Sequence, residues 1–425
     1  MTETLGALTT RGRAFLASGI TAAICSMVLG QKDLLRVGVL LTALPLITAL
    51  IMSRARYRII CSREVQPRRV PTGSPVTVTL RLQNAGRMPT GVLLLEDQVP
   101  YVLGTRPRFV VDQMGPRWRR EVAYTVRSDV RGRYELGPMA VRVSDQFGLV
   151  ELTRSFPVTS LLTVTPQALP LPSSGVNGEW SGTGDNRPRA FAAAGTEDVT
   201  IREYREGDDL RRVHWPSTAR SGELMVRREE QPWQSRCTVF LDTRKIAHRG
   251  SGPASSFEWA ITATASAGVH LAHRGFALRL GTDVTSATGG QGWHDRGAGW
   301  QGETDSLLDM LAVARPSDRT RLDIRSMPDQ GHPGLVVAIV GLLEPEDVLS
   351  LGRLRRGNAA GFAILLDAGA WTRERASADK NLALRTRNAA TALRRQGWQV
   401  AVATTGTSIA DVWGSLTRRP EKRAS

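Results

Sequence analysis

The densest run of side chains capable of chemistry lies between Glu197 and Thr243. Within it Arg202, Arg205, Arg211, Arg212 and Arg220 alternate with Glu203, Glu206, Asp208 and Asp209. Two chemistries follow from such a mixture. Neighbouring carboxylates perturb each other's protonation, which would suit Asp208 and Asp209 to acid/base or metal work. Side chains of adjacent residues diverge, however, and no His, Cys or third acid stands at ligand spacing. The alternative is structural. Guanidinium groups bind carboxylates through paired hydrogen bonds, so the run reads as an ion-paired brace centred on Asp208, Arg211 and Arg220. A docking face at the same residues is the competing account.

The local backbone follows from the residue types. Ile201 to Tyr204 reads as extended and Glu206 to Asp209 as a tight turn, because Gly207 accepts positive φ and Asp bonds back to its own backbone. Leu210 to Arg220 has the make-up of one or two helical turns, with Trp215 expected as a core anchor beside Trp259 and Trp398.

The gap-free run from Arg202 to Val226 resembles the signature of the family called domain of unknown function 58 (DUF 58). Arg202, Glu203, Tyr204, Gly207, Asp208, Arg211, Trp215, Ala219 and Arg220 carry the likeness. Pro216 stands where that family usually has Lys. Two further segments, Arg131 to Pro138 (RGRYELGP) and Ser144 to Leu149 (SDQFGL), are similar to the same family. The resemblance implies a von Willebrand factor A-like domain after the signature. Such domains often bind a divalent ion at D-x-S-x-S, where the first strand ends. Here the residues are Asp242-Thr243-Arg244-Lys245-Ile246, so Arg244 and Ile246 replace both serines. Asp242 is therefore a degenerate metal-site position, expected to pair with an arginine or to cap the sheet edge, and no metal or other cofactor is expected.

Elsewhere the catalytic signals are weak. Cys25, Cys61 and Cys237 are far apart, without a C-x-x-C pair, which indicates neither a disulfide framework nor a zinc site. The six histidines form no H-E-x-x-H pattern, and His270 and His273 are expected at the surface.

The positioning elements fall into a multidomain order within 425 residues that are 41% hydrophobic and 23% charged. Residues 1–56 contain two apolar runs, Ala14 to Gly30 and Val37 to Met52, and read as a transmembrane hairpin. Arg11, Arg13, Arg54, Arg56 and Arg58 flank it, which places both ends in the cytoplasm by the positive-inside rule. A signal peptide explains the first run but not the second. Residues 57–171 alternate apolar and polar side chains, as from Val76 to Gln83, and predict about seven short strands of an immunoglobulin-like sandwich. Residues 172–196 read as a linker and 197–235 as the signature segment. From 236 to 417 continuous apolar strands alternate with helices, predicting a parallel-sheet α/β domain covered on both faces, with Gly281 to Gln301 and Arg315 to Gly334 as long loops and 418–425 as a tail.

Charge bears on partners. Residues 54 to 133 hold sixteen arginines, no lysine and six acids, or +10 of the chain's formal +16. Anionic lipid head groups fit a basic surface beside a membrane hairpin. Nucleic acid fits less well, because no groove-reading helix or stacking motif accompanies the charge. The expected function is a membrane-tethered, non-enzymatic interaction or adaptor protein. The family resemblance implies a MoxR-type AAA ATPase as partner, with a transglutaminase-like membrane protein as a second. If the signature stretch is a brace, recognition falls to the polar loops around Trp293 and Trp300, where such an ATPase could grip. The alternatives are a metal-dependent hydrolase using Asp208, Asp209 and Asp242, and a ligand- or lipid-binding sensor.

Overall fold

The computed structural model describes residues 7–54, 59–86, 92–111, 117–145, 147–173, 199–203, 213, 215–229, 236–283, 300–322, 324, 334–355, 360–372 and 378–417. The chain divides into two compact units, the first residues 1–167 with 308–314 and the second residues 168–307 and 315–425.

The first unit opens with α1 (Thr10–Leu29) and α2 (Lys32–Arg54), both long and apolar enough to cross a membrane. The side chain of Thr9 caps α1 by accepting from Gly12 N at 3.1 Å, and Gly30 ends it with φ of 65°, a conformation only glycine adopts without cost. The two helices approach closely through small residues. A Cβ on Gly19 would meet Thr42, and one on Gly38 would meet the Ala23 backbone at 2.8 Å. Such close approach is what holds helices together where lipid supplies no hydrophobic driving force. Outward-facing Ile24, Met27, Val28, Val39, Leu40, Ile47 and Ile51 are exposed.

Ten strands follow among the described residues, where about seven were expected. The antiparallel sheet β1-β3-β6 is built from β1 (Ile59–Gln66), β3 (Pro75–Asn84) and β6 (Arg119–Arg127). A second antiparallel sheet has the order β5-β4-β8-β9, with β4 (Val92–Asp97), β5 (Arg108–Val111), β8 (Met139–Ser144) and β9 (Glu151–Phe156). A third, β2-β10-β7, joins β2 (Arg69–Pro71), β10 (Ser160–Thr165) and β7 (Gly132–Leu136). Strict alternation on β3 turns Val76, Val78, Leu80 and Leu82 inward, where they share one buried cluster with Leu93, Leu95, Val141, Val143, Leu162 and Val164. Leu8 and, from α2, Ala49 and Met52 belong to the same cluster, so the helical hairpin is packed into this unit at its base.

One buried cation sews these sheets together. Arg63 of β1 binds both oxygens of Asp97 of β4 and donates through Nη1 to the carbonyls of Leu136 (2.8 Å) and Val158 (2.6 Å). Tyr124 of β6 donates its hydroxyl to the same carboxylate. Burial, partly offset by Arg63, lifts the nearby Cys61 thiol to about 11, which leaves it unreactive at neutral pH.

The start of α1 is fastened to a distant turn of this unit. Leu8 bridges Val150, Thr9 N donates to Leu149 O at 3.0 Å, and Glu151 N donates to Ala7 O at 2.8 Å. A Cβ on Gly12 would collide with the Leu149 carbonyl, so only glycine lets the helix sit this close. The turn itself is tied by Asp145, which accepts from Val150 N at 2.8 Å and Phe147 N at 3.2 Å.

In the second unit a two-stranded antiparallel ribbon, β11 (Val199–Glu203) with β12 (Met225–Glu229), flanks α3 (Trp215–Ser221). The α/β body follows as β13 (Arg236–Leu241), α4 (Ser256–His273), β14 (Ala277–Thr282), α5 (Trp300–Val313), β15 (Leu335–Val340), α6 (Pro345–Leu354), β16 (Ala360–Leu366), α7 (Ala378–Arg395), β17 (Gln399–Ala403) and α8 (Ile409–Thr417). All five strands pair in parallel, in the order β14-β13-β15-β16-β17. One face carries α6 and α7 over Ala338, Val340, Ala363, Leu365 and Trp398, and the other carries α8, whose Trp413 packs edge-on against Phe362. Trp300, expected in a loop, instead begins α5.

Candidate functional site

Strand β13 is apolar to Leu241 and then turns polar, because the next three residues leave the sheet at its carboxyl edge. The strand order makes this edge distinctive. From β13 the chain crosses to β14 on one side and from β14 to β15 on the other, so the carboxyl ends of β13 and β15 border the crevice where ligands bind in open parallel sheets. What fills that crevice here is the protein's own arginine.

Arg244 is 1% exposed, and each of its five side-chain N–H groups has an acceptor. Nε and Nη2 donate to the two oxygens of Asp242, each at 2.9 Å. Nη1 donates to Asp347 Oδ2 at 2.8 Å and the Thr320 carbonyl at 3.4 Å, and Nη2 also reaches the Leu342 carbonyl at 3.3 Å. Burial alone would lower the pKa of this guanidinium. The hydrogen bonds and charge of Asp242, and then of Asp347, outweigh burial and raise it, so Arg244 is a permanent cation.

Both carboxylates are further held by backbone amides. Asp242 accepts from Arg244 N at 3.1 Å and Gly341 N at 3.4 Å. Asp347 lies in the first turn of α6 and accepts from Leu322 N at 3.1 Å and Glu344 N at 3.0 Å, favoured there by the helix N-terminus. Gly341 has no alternative, because a Cβ would collide with the Ala247 carbonyl.

Two further groups complete the edge. Asp283, fully buried after β14, accepts from Thr243 N at 3.0 Å and from the hydroxyls of Thr243 and Ser317. His248 Nε2 donates to the Asp242 carbonyl at 2.7 Å while Nδ1 faces the Ser256 hydroxyl at 3.2 Å. Burial, only partly opposed by Asp242, lowers the pKa of His248, and the neutral ring with its proton on Nε2 matches both partners.

A divalent cation does not fit these residues. Both carboxylate oxygens of Asp242 already accept from two N–H groups each, the guanidinium bridges Asp242 and Asp347, and Arg244 and Ile246 offer no hydroxyl ligand. Among the described residues no group of three or more His, Cys, Asp or Glu is placed to hold a metal.

The signature residues are placed as follows. Arg202 and Glu203 lie on β11 opposite Val226 and Met225, as the extended reading of Ile201 to Tyr204 predicts. Tyr204, Gly207, Asp208, Asp209 and Arg211 lie outside the described residues, as do Trp293 and most of the linker expected at 172–196. The helix expected over Leu210 to Arg220 is described only as α3. Trp215 begins it 68% exposed, not as a core anchor, because the short α3 buries no residue. Ala219 and Arg220 are exposed on the same helix, and Arg220 has no ion pair to a described residue, while its expected brace partners Asp208 and Arg211 lie outside the described residues. His270, expected at the surface, is half-buried edge-on against Trp413, while His273 is exposed. Sequence reasoning singled out Asp242 and Arg244 but missed His248, Asp283, Ser317 and Asp347. The one available signal was an acid directly after an apolar strand (Asp283) or in the Pro-Glu-Asp opening of a helix (Asp347).

Residues 200–286 match the family model described as "Protein of unknown function DUF58". The match supports the DUF58 family. It begins in β11, contains Asp242, Arg244 and His248, and ends just past Asp283. No curated protein matches the chain. Solved structures with some likeness include the CARDB domain of a Pyrococcus furiosus protein in complex with di-metal ions, at 16% identity over 26% of this chain and 96% of that one, with a TM-score of 0.20. Another is the putative ApaA protein of Bordetella pertussis, at 14% identity over 25% of this chain and 94% of that one, also at 0.20. Scores this low have no bearing on the architecture described above.

Proposed function

We propose that this chain is a membrane-tethered, non-enzymatic interaction protein that works with a MoxR-type AAA ATPase, with a transglutaminase-like membrane protein as a further partner. The observation that carries the reading is the crevice at Asp242. Where open parallel sheets place substrates, Arg244 satisfies its own five donors with Asp242, Asp347 and two carbonyls, so both of these carboxylates are taken up by a cation of the chain. The strand order, with Asp242 following the first strand, supports a von Willebrand factor A-like platform in which a cation of the chain stands where such domains often hold a metal. The β-rich region is read as an immunoglobulin-like domain. The two apolar helices are read as a bilayer-spanning hairpin with both ends, and hence both folded units, in the cytoplasm.

The test is crosslinking of the intact chain in its own membrane followed by identification of the captured proteins. Recovery of a MoxR-type ATPase, lost when Trp215 is replaced by Ala or the exposed signature helix is charge-reversed, supports the reading. Recovery of no ATPase under conditions that capture other neighbours overturns it.

A further inference from the structure

Several arginines of the β-rich unit are neutralised by local acids. Arg63 is bound by Asp97, Arg81 by Glu64 and Glu121, Arg108 by Glu96, Arg127 by Asp129 and Arg142 by Glu151. At the end of this unit that carries the helices five arginines stand together without such partners. Arg11, Arg13, Arg117, Arg119 and Arg120 are exposed, and none has an ion pair among the described residues.

The register shows that these five share one end. Four residues separate the end of α2 at Arg54 from the start of β1 at Ile59. Ile59 pairs with Asn84, whose N–H donates to Trp118 O at 3.0 Å, and Gln83 pairs with Arg119. Strands lie about 4.8 Å apart, so Arg117 to Arg120 stand about 10 Å from the point where the chain leaves the helices. From the other side, Thr9 and Gly12 sit on Gly148 and Leu149, and the Arg11 guanidinium lies beside Gly148. Arg117 has φ of 56°, a left-handed conformation costly for a side chain of this size, and it holds a cation where a glycine would be easier. Ile60 and Phe147, 56% and 62% exposed, put apolar surface at the same end.

We propose that this arginine rim binds the phosphates of anionic phospholipids at the bilayer surface, seating the β-rich unit on the membrane; the proposal rests on the reading of α1 and α2 as bilayer-spanning. Guanidinium groups suit the task because each engages two phosphate oxygens at once. The exposed Phe147 and Ile60 add the apolar contact that interfacial residues make with the head-group region. An acidic protein segment is the competing occupant of such a surface.

The experiment uses the full chain reconstituted in bilayers and compares immobilised spin-labelled phosphatidylglycerol with spin-labelled phosphatidylcholine. We expect phosphatidylglycerol to be preferred at low salt by at least about fivefold, the effect of one well-placed cation. The preference should vanish near 1 M salt, where the screening length falls to about 3 Å. Replacing Arg117, Arg119 and Arg120 together by Gln should lower it by at least about fivefold. A charge-matched variant with Arg353, Arg387 and Arg395 replaced by Gln should keep it. Equal immobilisation of the two lipids overturns the rim alone, as does an equal loss in the charge-matched variant. Soluble polyglutamate that protects the rim arginines without any lipid preference also overturns it, in favour of an acidic protein partner. Absence of any immobilised lipid overturns the bilayer-spanning reading with it.

Discussion

Replacing Arg244 with Met tests whether the crevice is a structural keystone. The substitution keeps most of the side-chain volume but removes five donors at once, leaving Asp242 and Asp347, 0% and 3% exposed, facing each other without a cation. The carbonyls of Thr320 and Leu342 lose their partner as well. Breaking one side of a buried ion pair costs about 3 to 5 kcal/mol, since the remaining charge is left buried and unpaired. Four backbone amides, those of Arg244, Gly341, Leu322 and Glu344, still reach the two carboxylates and set the cost nearer the lower figure. Against a domain stability of about 5 to 15 kcal/mol this is a large fraction. A chain with two units melts in more than one step, so the suitable measurement is native-state hydrogen exchange of peptides from β15 and β16 in the full-length protein. A loss of 3 to 5 kcal/mol appears there as roughly 150- to 5,000-fold faster exchange. Arg244→Lys should fall between, because an ammonium has three donors for five acceptors. Exchange within about threefold of the parent for Arg244→Met, under about 1 kcal/mol, would refute the argument that a buried guanidinium holds this edge together.

Mg²⁺ or Mn²⁺ at millimolar concentration should leave exchange in the α/β unit unchanged, because Arg244 saturates Asp242; a saturable protection lost in Asp242→Ala would show that the cation yields to a metal. His248 and His270 are both held below the usual histidine range, chiefly by burial. The unfolded chain takes up these protons below about pH 6.5 while the folded chain does so only at lower pH, so stability should be flat above that value and fall as pH drops through it. Urea unfolding at pH 7.5 and 5.5 checks the sign, and His248→Gln should reduce the difference. Replacing Gly38 by Leu should force α1 and α2 apart, since even a Cβ would reach the Ala23 backbone at 2.8 Å; crosslinking between cysteines placed at Ala23 and Gly38's neighbour Val37 should weaken, and undiminished crosslinking would contradict the close packing.

The elements of the α/β unit were legible because its strands are apolar runs between helices, and β15, β16 and β17 alternate with α6 and α7 as the pattern predicts. The apolar helices were equally plain. The crevice was legible only in its local half. Asp242 and Arg244 stand two residues apart, but Asp283, Ser317 and Asp347 arrive from 40 to 105 residues away through parallel crossovers, which no local spacing encodes. Trp215 misled because large aromatic residues usually mark a core, whereas a seven-residue helix has too little area to bury one. The Arg63, Asp97 and Tyr124 cluster escaped notice for the same reason as Asp347, each member being unremarkable on its own strand.

The fastening of Leu8 and Thr9 to Leu149 and Val150 constrains the order of events during synthesis. The first apolar helix leaves the ribosome when the residues that clasp its base, some 140 positions later, do not yet exist. On the bilayer-spanning reading, insertion of α1 and α2 precedes the clasp, and the β-rich unit closes on a hairpin that is already in place. Closing so long a loop is entropically costly, and the Asp145 to Val150 turn between the paired strands β8 and β9 acts as the latch for the base of α1. Nascent chains arrested before that turn has emerged should carry an inserted hairpin whose N-terminal residues are still open to protease, and the protection should appear abruptly with the latch.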